Sequence, residues 1–157
     1  MKKKQLRKDE IKVLSSKITE FLKIEINLGK KDRVELIDDK VISINSCPSF
    51  FYDEKGDMPL PLLKFLLSRG YITTKKVIVD MGAVRFVASG ADVMRPGITH
   101  IDEGIQKEDI TVVVDESHKK PIAVGRAIYS SEEMSSMVTG KVIQILHYVG
   151  DTIWKRY

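Results

Sequence analysis

Cysteine is almost absent. The single Cys47 in 157 residues excludes an internal disulfide and a cysteine-rich zinc site, and it suits a reducing, cytoplasmic setting. Long apolar runs are absent too: none approaches the ~18 residues that cross a bilayer, so no membrane partner is expected. The basic start MKKKQLRKDEIK is followed by no apolar h-region, which argues against a secretory signal. Histidine is sparse. His100, His118 and His147 lie far apart, with no carboxylate or cysteine at ligand spacing, so neither a metal nor a cofactor is implied. No G-x-x-x-x-G-K-[ST] loop, G-x-G-x-x-G turn or G-x-S-x-G elbow occurs. The expectation is a protein that is not an enzyme.

What remains is an ordinary globular composition, 43% hydrophobic and 31% charged, with an uneven charge distribution. Residues 1–74 hold 15 Lys and Arg against 11 Asp and Glu, whereas residues 75–157 hold 11 of each, so the whole net charge of +4 lies in the first half. Lys2, Lys3, Lys4, Arg7, Lys8 and Lys12 crowd the first twelve residues. Such an end attracts phosphate polyanions, or is simply a solvated, frayed terminus.

Periodicity separates the halves. Ile11, Leu14, Ile18, Phe21 and Leu22 predict an amphipathic helix over residues 9–24. RVELI and KVISIN, joined at Asp38-Asp39, predict a hairpin, and SFFY a third strand. LPLLKFLLSRG predicts a buried helix over 60–70, with Pro61 in its first turn and Gly70 at its end. Residues 1–74 therefore read as an α+β N-terminal domain, with the boundary near residues 71–76.

Residues 75–157 read as a mostly-β domain. Strands are expected at 75–80, 93–98, 110–115, 121–128 and 142–149, with a short helix at 82–89 and another at 131–137 behind the S-x-x-E capping box of Ser130 and Glu133. Asp80 suits a helix cap better than a general base. His147 suits a packed or surface residue better than a ligand, and Trp154 suits the core at the close of the last strand. The stretch VRFVASGADVMRPGI, Val84 to Ile98, holds two glycine breaks. Gly90 fits a left-handed helix stop, and Pro96-Gly97 fits the centre of a type II turn with positive φ at the glycine. Such a corner leaves backbone exposed between Arg85 and Arg95, where a nucleic-acid backbone can approach. Read locally, it is also what punctuation of a barrel looks like.

The run from Val79 to Ile98, V-D-x-G-A, an apolar helix, S-G-A, two apolar positions and P-G, resembles the signature of the PUA domain. That domain is the RNA-binding pseudobarrel of pseudouridine synthases and archaeosine transglycosylases. VGRAIYSSEEM and GKVIQILHYVGDTIWK are similar to its remaining strands. With Phe50-Phe51-Tyr52, the Leu60–Leu67 segment and His147-Tyr148, Asp151 and Trp154, the chain resembles the malignant-T-cell-amplified, ligatin-like translation factor family. The resemblance implies a mostly-β PUA pseudobarrel over 75–157 and RNA as ligand, tRNA or rRNA. It also implies the small ribosomal subunit as partner, together with a protein bearing an initiation-factor-like domain. It points to Gly82, Ala83, Arg85, Ser89, Gly90, Ala91, Arg95, Pro96, Gly97, Lys155 and Arg156 as RNA-binding residues, with the basic N-terminal cluster as a second contact. Neutrality of residues 75–157 departs from a broad basic surface, so a few placed cations and backbone donors must act. An accessory subunit presenting RNA to a modification enzyme is the alternative.

Overall fold

A computed structural model describes residues 1–56, 58–69 and 75–157. The chain divides into two compact units, Met1–Thr73 and Thr74–Tyr157. The expected helix stop at Gly70 lies outside the described residues, as does most of the expected boundary region.

The first unit carries a five-stranded antiparallel sheet in sequential order: β1 (Lys3–Gln5), β2 (Val34–Ile37), β3 (Val41–Ile44), β4 (Cys47–Tyr52) and β5 (Pro59–Pro61). The β2–β3 turn has positive φ at both Asp38 (51°) and Asp39 (54°), and Lys40 N–H returns to the Ile37 carbonyl at 2.9 Å. Aspartate tolerates that left-handed geometry better than most residues. The basic N-terminus is not frayed. Lys3 pairs with Ile37 across the sheet, and Lys2 N–H donates to Asp38 Oδ1 at 2.9 Å.

Two sequence expectations need correction here. Helix α1 spans Lys8–Lys17 and runs into a π turn over Ile18–Leu22, which ends at a left-handed Lys23. The i→i+5 bonds of a π turn widen it by about one residue. Ile18 and Leu22, four apart, therefore stay inward, while Phe21 rotates out to 53% exposure. Pro61 opens no helix either. It lies in edge strand β5, opposite Phe50, and helix α2 starts only at Leu63 and runs to Arg69. Proline costs nothing on an edge whose N–H has no strand to meet. Leu14, Ile18, Leu22, Val34, Ile42, Phe50 and Leu63 are buried in its core, and the Phe50 ring lies 4.8 Å from that of Phe65.

The second unit is a nearly closed, barrel-like sheet ordered β7-β11-β10-β9-β6-β8. Its strands are β6 (Lys76–Val79), β7 (Val93–Met94), β8 (Ile98–Ile101), β9 (Ile110–Asp115), β10 (Pro121–Ala127) and β11 (Lys141–Tyr148). Only β6 and β9 pair in parallel. Helices α3 (Met81–Val87), α4 (Ser131–Ser136) and α5 (Thr152–Arg156) lie between and after the strands. Val77, Val79, Val113, Ala123, Ala127 and Ile143 fill the barrel. Gly125 is required by space: a Cβ there would sit 2.5 Å from the Gln144 carbonyl oxygen and 2.6 Å from Ile143 Cγ2. That approach is why one face of β10 carries only small side chains.

The C-terminus differs from expectation. Trp154 belongs to helix α5, half-buried, and does not close a strand. His147 is fully buried, its Nδ1 2.8 Å from Asp151 Oδ2. The same carboxylate accepts from Tyr148 N–H and caps α5 through Trp154 N–H at 2.8 Å. Burial raises the Asp151 carboxyl pKa, but the two backbone N–H donors and His147 outweigh it and hold the group below the ordinary carboxylate value.

Candidate nucleic-acid interface

The helix-to-strand corner is built by α3 and the turn that follows β7. Asp80 caps α3, its Oδ1 accepting from Ala83 N–H at 2.8 Å. The cap fixes the helix phase, so Ala83, Val84 and Val87 face the core while Met81, Arg85 and Phe86 face outward. Phe86 is 58% exposed, unusual for a phenylalanine. Gly90 ends the helix region with φ +94°, and a Cβ there would lie 2.6 Å from the Tyr148 ring.

Arg95–Gly97 forms one 3₁₀ turn, with Ile98 N–H bonded to the Arg95 carbonyl, rather than the type II turn expected from Pro96-Gly97. Gly97 has no positive φ. Its small size matters because a Cβ would fall 2.8 Å from Ala83 Cβ, so the turn lies directly against α3. Asp80 N–H donates to the Gly97 carbonyl at 2.9 Å and locks that approach.

Between α3, β7 and the start of β11 lies a cleft of about 400 Å³ lined by Ala83, Phe86, Ala91, Met94, Gly97 and Lys141, among others. It is not filled by the protein's own side chains. Its lining is mostly apolar, with Phe86 and Met94 (50% exposed) standing free at its walls. Lys141 Nζ pairs with Asp92 Oδ2 at 2.9 Å, while Asp92 Oδ1 accepts from Ile145 N–H, so both polar groups are held at fixed positions. The Arg85 guanidinium lies over the Phe86 ring, 5.1 Å from its centroid.

The expected site residues separate in space. Ala83, Ala91 and Gly97 line the cleft. Gly82 and Ser89 are exposed on the outer side of α3, where the Ser89 hydroxyl donates to the Arg85 carbonyl at 2.9 Å. Pro96 is exposed on the 3₁₀ turn. Arg95 turns into the protein. Its Nε donates to the Met134 carbonyl at 2.6 Å and its Nη1 to the Ile98 carbonyl at 3.4 Å, tying α4 to the turn. Lys155 and Arg156 lie exposed on α5, outside the cleft lining, and Arg156 is near the Tyr157 ring.

Sequence reasoning overlooked Phe86, Met94 and Lys141. The signal for Phe86 was present: once Ala83, Val84 and Val87 are assigned inward, residue 86 falls about 100° off that face. Lys141 carried none, because only the folded pairing of β11 with β7, Lys141 opposite Met94, brings it there. An apolar cleft walled by an aromatic ring and a thioether, with cations on its rim, can stack an unpaired base and hold the adjoining phosphates.

In comparison with known proteins, residues 75–149 match the PUA domain family. An uncharacterized protein of Methanocaldococcus jannaschii is 41% identical over 95% of this chain and 93% of its own. Translation machinery-associated protein 20 of Saccharomyces cerevisiae is 32% identical, over 81% of this chain and 74% of its own. Malignant T-cell-amplified sequence 2 of Homo sapiens is 30% identical, over 96% and 88%. Among solved structures, a hypothetical protein of Pyrococcus horikoshii superposes with a TM-score of 0.85 and 32% identity, covering 98% of each chain.

Proposed function

The chain belongs to the family of translation machinery-associated protein 20 and the malignant T-cell-amplified sequence proteins, and from that membership we propose that it is a non-catalytic RNA-binding protein of the cytoplasmic translation apparatus. In this reading residues 75–157 engage tRNA, at or near its 3′ end, and residues 1–74 dock on the small ribosomal subunit. The observation that carries the reading is the open apolar cleft of the PUA unit with Phe86 and Met94 exposed at its walls.

The electrostatics divide the labour. Of the expected N-terminal cations, Lys2 pairs with Asp39, Lys4 with Glu10, and Arg7 with Asp9 and Glu10. Lys3, Lys8 and Lys12 are exposed and have no carboxylate partner among the described residues, which leaves them for rRNA phosphates. Each phosphate contact steepens the salt dependence by about 0.7 in log–log slope for single strands, so affinity for isolated RNA is modest and salt-sensitive. On an assembled subunit two weak contacts reinforce each other through effective concentration.

Sedimentation with purified small subunits, at low and at moderate salt, tests this. Co-migration at low salt that weakens at moderate salt is the expected result. Absence from the subunit peak in both conditions, or recovery from cells with an RNA-modification enzyme in place of ribosomal proteins, replaces the reading.

A further inference from the structure

A cavity in the first unit is separate from the PUA cleft. It has a volume of about 870 Å³ and lies between α1 and the irregular segment at residues 26–32, floored in part by β1. One wall is a single helix face: Lys8, Lys12, Ser15 and Ser16 follow the i, i+4, i+7, i+8 spacing that aligns side chains along a helix. The opposite wall supplies Lys30. Lys8, Lys12 and Lys30 are all exposed and make no ion pair among the described residues.

The one carboxylate in the lining does not cancel them. Asp32 accepts from Asn45 Nδ2 at 2.9 Å and from Gly29 N–H at 2.7 Å, and these bonds hold it ionised and below its ordinary pKa. Its two oxygens are thus engaged by Gly29 and by Asn45 in the β3–β4 turn. Beneath the cations the floor is apolar, made by Leu6, Ile11, Ile26 and Leu28. A cavity of this size with cations above and hydrocarbon below fits a ligand that is anionic at one end and flat and apolar at the other.

We infer that this cavity binds an unpaired nucleotide of an RNA strand, its phosphates on Lys8, Lys12 and Lys30 and its base on the apolar floor. The inference rests on the RNA-binding reading above and adds to it a base-accepting pocket. A surface that met only duplex backbone has no use for a floor of this depth, because phosphate contacts alone need a row of cations. Ser15 and Ser16 also line the cavity, and a hydroxyl can both donate to and accept from a ribose or a base edge.

The test uses the full chain carrying Phe86→Ala, which removes the stacking wall of the PUA cleft, and fluorescence anisotropy with a labelled eight-nucleotide uridine strand, the matching duplex, and the strand carrying abasic positions. Two variants separate the contributions. Ser15→Trp fills the cavity and keeps every cation, while Lys30→Glu reverses one cation on an irregular segment far from the core. A base stacked on a protein surface contributes about tenfold or more to binding. The single strand is therefore expected to bind at least about tenfold tighter than its abasic counterpart, with S15W erasing that difference and K30E weakening both strands alike. Equal binding of the intact strand, the abasic strand and the duplex, unaffected by S15W, overturns the inference while leaving subunit docking through phosphates intact. Displacement of the strand by equimolar uridine monophosphate also overturns it, assigning the cavity to a free nucleotide. Loss of subunit co-sedimentation with base-dependent strand binding retained counts against the earlier reading alone.

Discussion

The two units carry similar numbers of charges and use them in opposite ways. In the first, Lys3, Lys8, Lys12 and Lys30 stand exposed without carboxylate partners among the described residues, and Lys2 pairs with Asp39 on the surface. In the second, every aspartate accepts from a backbone N–H: Asp80 from Ala83, Asp92 from Ile145, Asp102 from Lys76, Asp109 from Gln106, Asp115 from His118, and Asp151 from Tyr148 and Trp154. The aspartates of residues 75–157 therefore serve as structural parts that close turns and cap helices, while Asp109, Asp102 and Asp92 also pair with Lys75, Lys76 and Lys141. Net charge is a poor guide to what that unit can bind.

The comparison can be broken most severely at the barrel wall. Gly125→Ala places a methyl group against backbone and is expected to cost about 3 kcal/mol, seen as a lowered thermal midpoint with loss of exchange protection in residues 110–148 and not in residues 34–52. Uniform loss across both units would mean that they do not fold as separate entities.

Asp151→Ala comes next. It removes the α5 cap and leaves the buried His147 ring without its carboxylate, a cost of about 2 kcal/mol. The pH dependence has a definite sign. Because the folded-state value is depressed, the stabilisation is complete above the ordinary carboxylate range and is lost as pH falls through that range and the lower native value. Amide exchange at Trp154 followed on acidification should show α5 loosening there in the parent chain and already loose at neutral pH in D151A.

Arg95 and Arg85 sharpen the contrast within one unit. Arg95→Ala should lower stability by about 1–2 kcal/mol through the lost bonds to Met134 and Ile98, and leave the salt slope of RNA binding unchanged. Arg85→Ala should do the reverse, lowering affinity several-fold with the melting temperature within error. If both arginines alter the slope, the inward one is reaching RNA by another route. The smallest effect belongs to Lys2→Ala. Its partner Asp39 and Lys2 itself are 67% and 73% exposed, so stability should change by no more than about 0.5 kcal/mol in a denaturant titration.

Alternation and capping made much of the second unit readable. TVVV and IAVG are strands because β-branched residues suit a pleated surface, and Ser130 with Glu133 does form a reciprocal capping box. Unreadable parts had specific causes. Lys3-Lys4-Gln5 has no apolar alternation, since an edge strand needs none, and its pairing with β2 is a long-range event. The π turn at 18–22 shifts a helical stripe by one residue without any local marker. Arg95 reads as a surface cation, because nothing nearby in sequence announces the Met134 carbonyl 39 positions away. At the site, the small residues were legible by type, while Lys141 and Met94 arrive only through strand pairing.

The margins of the five-stranded sheet have a consequence for behaviour at high concentration. One outer strand, β1, is three residues long and bears Lys3 and Lys4; the other, β5, has proline at both ends. Lysine repels an incoming like strand and is costly to dehydrate, and proline offers no amide hydrogen for it to grasp. The sheet thus ends in two dissimilar barriers against runaway edge-to-edge growth, and removing either should raise the tendency to seed fibres.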